Sequence, residues 1–277
     1  MSDAKESRLG TVMTTLALVV ICLLVLAPII WAGMAATKPL QVAFANPPRL
    51  SYDPTVDAFV RLWRETNFAT YLLNTLIVAA ASVVVTLLIA APAAYALARV
   101  DARIAAAVLG AALLLRASPA FATVLPFYNF AVDLHIYDTR VALTIAFVAI
   151  DQPFTIWLLR GFFLNIPSEL DEAAMVDGCT RWQAFRIIVL PVATPGLVTA
   201  AILTFMLAFQ EYILPVVLTD VSAKTVPVFL ASQLGQTLPL LQQAAAGVML
   251  ISLPIVVAAF VVQRYLIAGL TSGSVKG

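Results

Sequence analysis

Charge is what this sequence has least of. Only 11% of its 277 residues are Asp, Glu, Lys or Arg, against about 25% in an ordinary soluble domain. Sixteen basic and fifteen acidic residues leave a net charge of +1, which excludes nucleic acid as an expected partner. Histidine occurs once, as His135, so His-pair metal sites and Ser-His-Asp catalysis are excluded and no metal ligands are assigned. The two cysteines, Cys22 and Cys179, lie in unlike surroundings and suggest no disulfide framework. The lysines follow Ala4, Thr37, Ala223 and Val275, so no Gly-Lys-Ser/Thr phosphate loop exists. Nor does a Gly-x-Ser-x-Gly elbow. The chain therefore carries no evident catalyst and no evident motor. No long Gly/Ser linker, acidic tail or low-complexity segment divides residues 1–277, which read as one domain.

What is present is apolar. Hydrophobic residues make up 62% of the chain, in runs long enough to cross about 30 Å of hydrocarbon. Six spans are expected, near 12–31, 74–98, 104–127, 141–163, 195–218 and 244–268, which makes an all-α polytopic membrane protein. A cleaved signal peptide competes for the first run, but that run exceeds a signal core of 7–15 residues. Six spans put both termini on one side. Assigning them inward places Lys5, Arg8, Arg99, Arg103, Arg160, Arg181, Arg186, Arg264 and Lys276 inside. Lys38, Arg49, Arg61, Arg64, Arg140 and Lys224 then lie outside, a bias of the right sign. Val56, Phe59, Val60 and Trp63 recur at helical spacing, opposite Asp57, Arg61, Arg64 and Glu65. They predict an amphipathic helix at the outer surface or membrane interface.

Some polar residues fall at span depth, where charge is expensive and usually faces protein or a water-filled path. Arg116, Asp151 and Glu211 are three of these, with Gln152 and Gln210 beside the acids. Two readings stand: a polar lining for a translocation path, or a structural cluster in which Arg116 pairs with Asp151 or Glu211. Pro119 and Pro153 kink their helices, for a cavity or for packing. Asn74 reads as a helix cap. Thr219 to Gln243 read as a polar outer loop.

The most structured polar stretch is 168–191. Ser168 is placed to cap a first helix, with Asp171 three residues on, and Gly178 to end it in the left-handed conformation. Thr180 and Gln183 form a capping box for a second helix, Pro191 stops it, and Thr194-Pro195 restart one. Such a helix–turn–helix is a rigid knob. Ala173, Ala174 and Met175 give it a small, low-relief surface, either for another protein's groove or for packing on its own domain.

Glu172, Ala173, Ala174, Gly178, Ile188, Leu190 and Pro191 stand at the spacing of a known signature. The pattern resembles the "EAA" motif of ABC-importer membrane subunits, the lead-in Ile166-Pro167-Ser168-Glu169-Leu170 resembles the maltose-type carbohydrate branch, and the terminal sequence from Gly269 to Gly277 resembles that of its second-permease class. That resemblance implies a type I importer fold in a bacterial cytoplasmic membrane, multi-pass, with both termini cytoplasmic. It implies that 168–178 is the coupling helix, with Glu172, Ala173, Ala174, Asp177 and Gly178 meeting a partner ABC ATPase dimer. ATP and Mg would be held there and no cofactor by this chain. It further implies a second homologous permease, an extracytoplasmic solute-binding protein or lipoprotein, and membrane lipid as partners. The tail Gly273, Ser274, Val275, Lys276 and Gly277 would reach into the ATPase dimer. The cargo implied is a sugar. A polyol phosphate is the variant, with Arg116 as counter-charge. An ion-coupled secondary transporter using Asp151 or Glu211 is the competing class, and it leaves the knob unexplained.

Overall fold

The computed structural model describes residues 3–43, 45, 47, 49–118, 120–234 and 237–271. Pro119 and the tail Gly273–Gly277 lie outside the described residues. In chain order the helices are α1 (Asp3–Thr37), α2 (Leu40–Ala43), α3 (Asp57–Glu65), α4 (Phe68–Ala98), α5 (Ala102–Arg116), α6 (Ala120–Asp133) and α7 (Arg140–Leu164). Then come α8 (Glu169–Val176), α9 (Arg181–Ala184), a π-helical turn (Phe185–Val189), α10 (Leu190–Val192), α11 (Thr194–Phe209), α12 (Ile213–Leu218), α13 (Val226–Gln233) and α14 (Leu238–Thr271). No strand occurs among the described residues.

Four helical stretches are long and apolar enough to cross a membrane: Val12–Thr37, Phe68–Ala98, Arg140–Leu164 and Leu238–Gln263. The other two expected spans are each interrupted. The stretch expected at 104–127 is α5 and α6, parted after Arg116, and that expected at 195–218 is α11 and α12, parted at 210–212. The expected polar outer loop at 219–243 is also part helix: Val226, Val228, Phe229 and Leu230 of α13 are buried.

The chain divides into two compact units, residues 1–68 with 230–253, and 69–229 with 254–277. In the first, α3 leaves much of its apolar stripe exposed, the arrangement an amphipathic helix at an outer surface or membrane interface has. Val56, Val60 and Trp63 are exposed, whereas Ala58 and Leu62 are buried. The opposite, polar face supplies links: Arg61 Nη2 donates to Gln242 Oε1 at 2.6 Å, and Gln243 Nε2 to Glu65 Oε2 at 3.2 Å. Gln242 is fully enclosed, and its amide also donates to the carbonyls of Ala35 and Lys38. A buried amide of this kind needs its partners.

The second unit has a core of small and aromatic residues. Ala90, Ala91 and Ala94 of α4 meet Leu159 and Phe163 of α7, Phe185 and Val189 of the π turn, and Ala200 of α11. Small side chains let helix backbones approach closely. Gly196 is the extreme case, since a Cβ there would lie 2.5 Å from the Phe162 ring.

Helix α7, 25 residues and about 37 Å long, separates two polar ends of this unit. At its N-terminal end, Asp138 accepts backbone N–H bonds from Asp220 (3.0 Å), Val221 (3.2 Å), Ser222 (2.8 Å) and Ala223 (3.0 Å). Asn74 is not a helix cap. It is buried inside α4, donates to the carbonyls of Ser222 and Lys224 at 2.9 Å, and accepts from Arg140 Nε at 2.8 Å. The C-terminal end of α7 leads into α8.

Candidate functional site

The knob is built as its sequence punctuation predicts at its centre. Gly178 has φ +89°. Its N–H bonds the Met175 carbonyl at 3.1 Å, and the Cys179 N–H bonds Ala174 at 2.9 Å. Those two bonds are the complete Schellman pair. The Thr180–Gln183 capping box is formed in both directions.

The edges of the knob differ from expectation. Ser168 has helical φ and ψ and makes no side-chain cap. The Asp171 carboxylate, the possible reciprocal partner of a capping box, is engaged elsewhere: Oδ2 accepts from Arg99 Nε at 2.6 Å and Oδ1 from Tyr95 Oη at 2.9 Å. Pro191 does not stop its helix. The backbone widens into the π turn ahead of it, with Leu190 N–H reaching back to Phe185. That widening relieves the clash a proline ring makes with the carbonyl four residues back. The break comes later, a 76° bend between Arg181–Val192 and Thr194–Phe209. Thr194 lies within α11, and Ala193 is the cap.

The faces of α8 are unequal. Asp171 and Ala174 are buried, at 7% and 2% exposure. Ala174 therefore packs on its own domain and is not part of the outward surface expected of it. Glu172, Ala173, Met175, Val176 and Asp177 are exposed, Val176 at 87%. Trp182 and Ile187 extend this apolar exposure beyond the turn. Beside the knob opens a cavity of about 500 Å³ whose lining includes Tyr95, Arg99, Ser168, Asp171, Glu172 and Met175.

The polar residues at span depth form separate groups. Arg116 ends α5, where Nη2 meets Asp151 Oδ1 at 3.3 Å and Nη1 donates to the Ile150 carbonyl at 3.0 Å. Its guanidinium lies 5.4 Å from the centre of the Phe154 ring. Asp151 is buried, and Gln152 Nε2 lies 3.4 Å from the Thr86 carbonyl. Glu211 is engaged differently. Its Oε1 accepts the N–H groups of Ile213 (2.9 Å) and Leu214 (3.3 Å), which caps α12 in the break after α11. Gln210 closes α11 and is exposed.

Two anchoring groups had no sequence signal. Arg99 and Asp171 stand 72 residues apart, and Asp138 meets a loop more than 80 residues away. Neither pairing has a periodicity or a motif to announce it.

Residues 88–272 match the family model described as "Binding-protein-dependent transport system inner membrane component". The chain is 36% identical over 257 residues to the "Probable ABC transporter permease protein y4oR" of Sinorhizobium fredii, covering 93% of this chain and 92% of that one. It is 35% identical over 255 residues to the "Trehalose transport system permease protein SugB" of Mycobacterium tuberculosis, covering 91% and 93%. Its fold is similar to that of a chain from the crystal structure of a bacterial ABC transporter involved in the import of the acidic polysaccharide alginate. That match has a TM-score of 0.76 at 24% identity and covers 94% of this chain and 97% of that one. With the matched region spanning two thirds of its length, and both edges of the knob inside it, the chain belongs to the family of binding-protein-dependent transport system inner membrane components.

Proposed function

We propose that this chain is one permease subunit of an ATP-driven importer that moves a sugar or related carbohydrate across a bacterial cytoplasmic membrane. The observation that carries the reading is the outward face of α8. A helix held by a Schellman turn and a capping box presents Glu172, Ala173, Met175 and Val176 to the outside. A rigid, low-relief face with exposed apolar side chains is suited to sit in a groove of another protein. The partner in this reading is an ABC ATPase dimer, which holds ATP and Mg, because no phosphate loop exists in this sequence. A second homologous permease completes the pathway, and an extracytoplasmic binding protein delivers cargo. Six spans with both termini cytoplasmic place α8 and the turn at Arg99–Arg103 on the ATPase side. The broken stretches α5/α6 and α11/α12 count as one span each.

In this mechanism, closure of the ATPase dimer moves α8 as a rigid body, and the spans alternate between inward and outward openings. Carbohydrate cargo is supported by the relative named for trehalose transport. The pairing of Arg116 with Asp151 favours a neutral sugar over a phosphorylated polyol, since the cation offered as its counter-charge is already paired. The test is native co-purification of the tagged chain, followed by mass spectrometry and uptake assays in proteoliposomes. An ATPase, a second permease and ATP-dependent sugar uptake are expected. A lone chain, or uptake driven by an ion gradient without ATP, would overturn the proposal.

A further inference from the structure

We infer that Arg99 is the positioning residue that locks the orientation of α8 to the ends of α4 and α7, so that movement of the knob reaches both helices together. The inference rests on the coupling role proposed for α8. Each guanidinium nitrogen of Arg99 is used. Nε donates to Asp171 of α8 at 2.6 Å. Nη1 and Nη2 donate at 3.2 Å to the carbonyls of Phe163 and Ile166, at the C-terminal end of α7. Phe163 is in the last turn of α7 and Ile166 lies two residues past its end, where the helix dipole favours a cation. Arg99 itself follows directly on α4, and its guanidinium packs over Tyr95 of that helix at 5.5 Å. One planar group therefore joins three elements that are distant in sequence.

The surrounding geometry separates orientation from mere attachment. Beneath the joint an aromatic layer holds the elements together: Tyr95 lies 4.8 Å from Phe185 and 5.9 Å from Phe163 between ring centres. Beside the joint lies the open cavity of about 500 Å³. Packing thus fixes the distance of the knob from the bundle, and on the cavity side it does not fix the tilt of α8. The Asp171 carboxylate, with one oxygen on Arg99 and the other on Tyr95, supplies the missing constraint. Its side chain is 9% exposed and that of Arg99 19%, so salt and water screen the joint little. A lysine keeps the charge but cannot reproduce the fork to one carboxylate and two carbonyls.

The experiment compares wild type, Arg99→Lys and Tyr95→Phe as full transporter complexes in proteoliposomes, and reads sugar taken up per ATP hydrolysed. Wild type is measured first. If it copurifies with no ATPase or shows no ATP-driven uptake, the coupling role itself fails and this inference with it. Given a working wild type, Arg99→Lys is expected to copurify with its partners and hydrolyse ATP while uptake per ATP falls about tenfold. Tyr95→Phe, which removes one hydroxyl and keeps the aromatic layer, is expected to lose about two- to threefold and carries the test if Arg99→Lys does not assemble. Wild-type uptake per ATP in the variants that assemble overturns the inference. So does a parallel loss of hydrolysis and uptake, which marks a stability role only. If neither variant assembles, the joint is required for folding and the inference of a positioning role is overturned.

Discussion

Substitution of Gly178 isolates backbone strain in the knob. At φ +89° a residue with a Cβ is in a region it disfavours, yet a Cβ built there meets nothing within 4 Å. Any loss therefore comes from the backbone and not from a clash with neighbours. The left-handed conformation costs an L-residue about 1–2 kcal/mol, and more for a β-branched side chain. That shifts the balance between the intact and opened Schellman turn about 5- to 30-fold. Asparagine tolerates the conformation better than alanine. The expected order of coupled uptake is therefore Gly178, then Gly178→Asn, Gly178→Ala and Gly178→Val. Hydrolysis should persist while uptake per ATP declines along the series, as measured in proteoliposomes with purified complex. A Gly178→Val transporter with unchanged uptake per ATP would refute the claim that the turn must be rigid. A series ordered by side-chain volume rather than by tolerance of positive φ would refute the backbone origin.

Further consequences concern stability. Gly196→Ala drives a methyl into the Phe162 ring, and overpacking of this kind costs about 1–3 kcal/mol; a lowered Tm of the purified complex is expected, partly restored by Phe162→Leu. Thr180→Ala removes the capping box at a cost of about 1 kcal/mol, visible as faster hydrogen exchange across α9. Burial raises the pKa of the Asp138 carboxyl, but its four backbone N–H bonds outweigh this and hold it at about 2, below its ordinary 3.8. A folded-state pKa below the unfolded one stabilises above the unfolded value, so the contribution is complete above about pH 4 and lost as pH falls through about 2. Discounted for partial exposure, this contribution is about 1 kcal/mol. Asp138→Asn should loosen the loop at 220–223 in hydrogen exchange at neutral pH, and an unaltered loop would count against the carboxylate's role.

What was legible in the sequence was what local chemistry decides. Gly178 and the Thr180–Gln183 pair announce their turns because each satisfies orphan backbone groups within a few residues. The helical class followed from apolar run length, and the signature at 172–191 announced the family. What stayed hidden depends on partners remote in the chain. Asp171 reads as a capping residue until Arg99 and Tyr95 claim both its oxygens. Asn74 reads as a cap until the carbonyls of Ser222 and Lys224 meet its amide. The α3 stripe records which residues share a face, and nothing in that periodicity announces that Arg61 finds Gln242. Pro191 reads as a stop, yet the π turn accommodates it. Arg116 reads either as path lining or as the partner of Asp151 or Glu211, and only the fold shows it paired with Asp151 while Glu211 accepts N–H groups at the start of α12.

The central claim is that the exposed face of α8 docks on an ATPase. A photo-crosslinking amino acid at Val176, 87% exposed on that face, tests it in native membranes. The account predicts one dominant product, joining this chain to an ATP-binding subunit, with no such product from a probe at buried Ala174. A crosslink from Val176 only within the chain, or only to lipid, would contradict it.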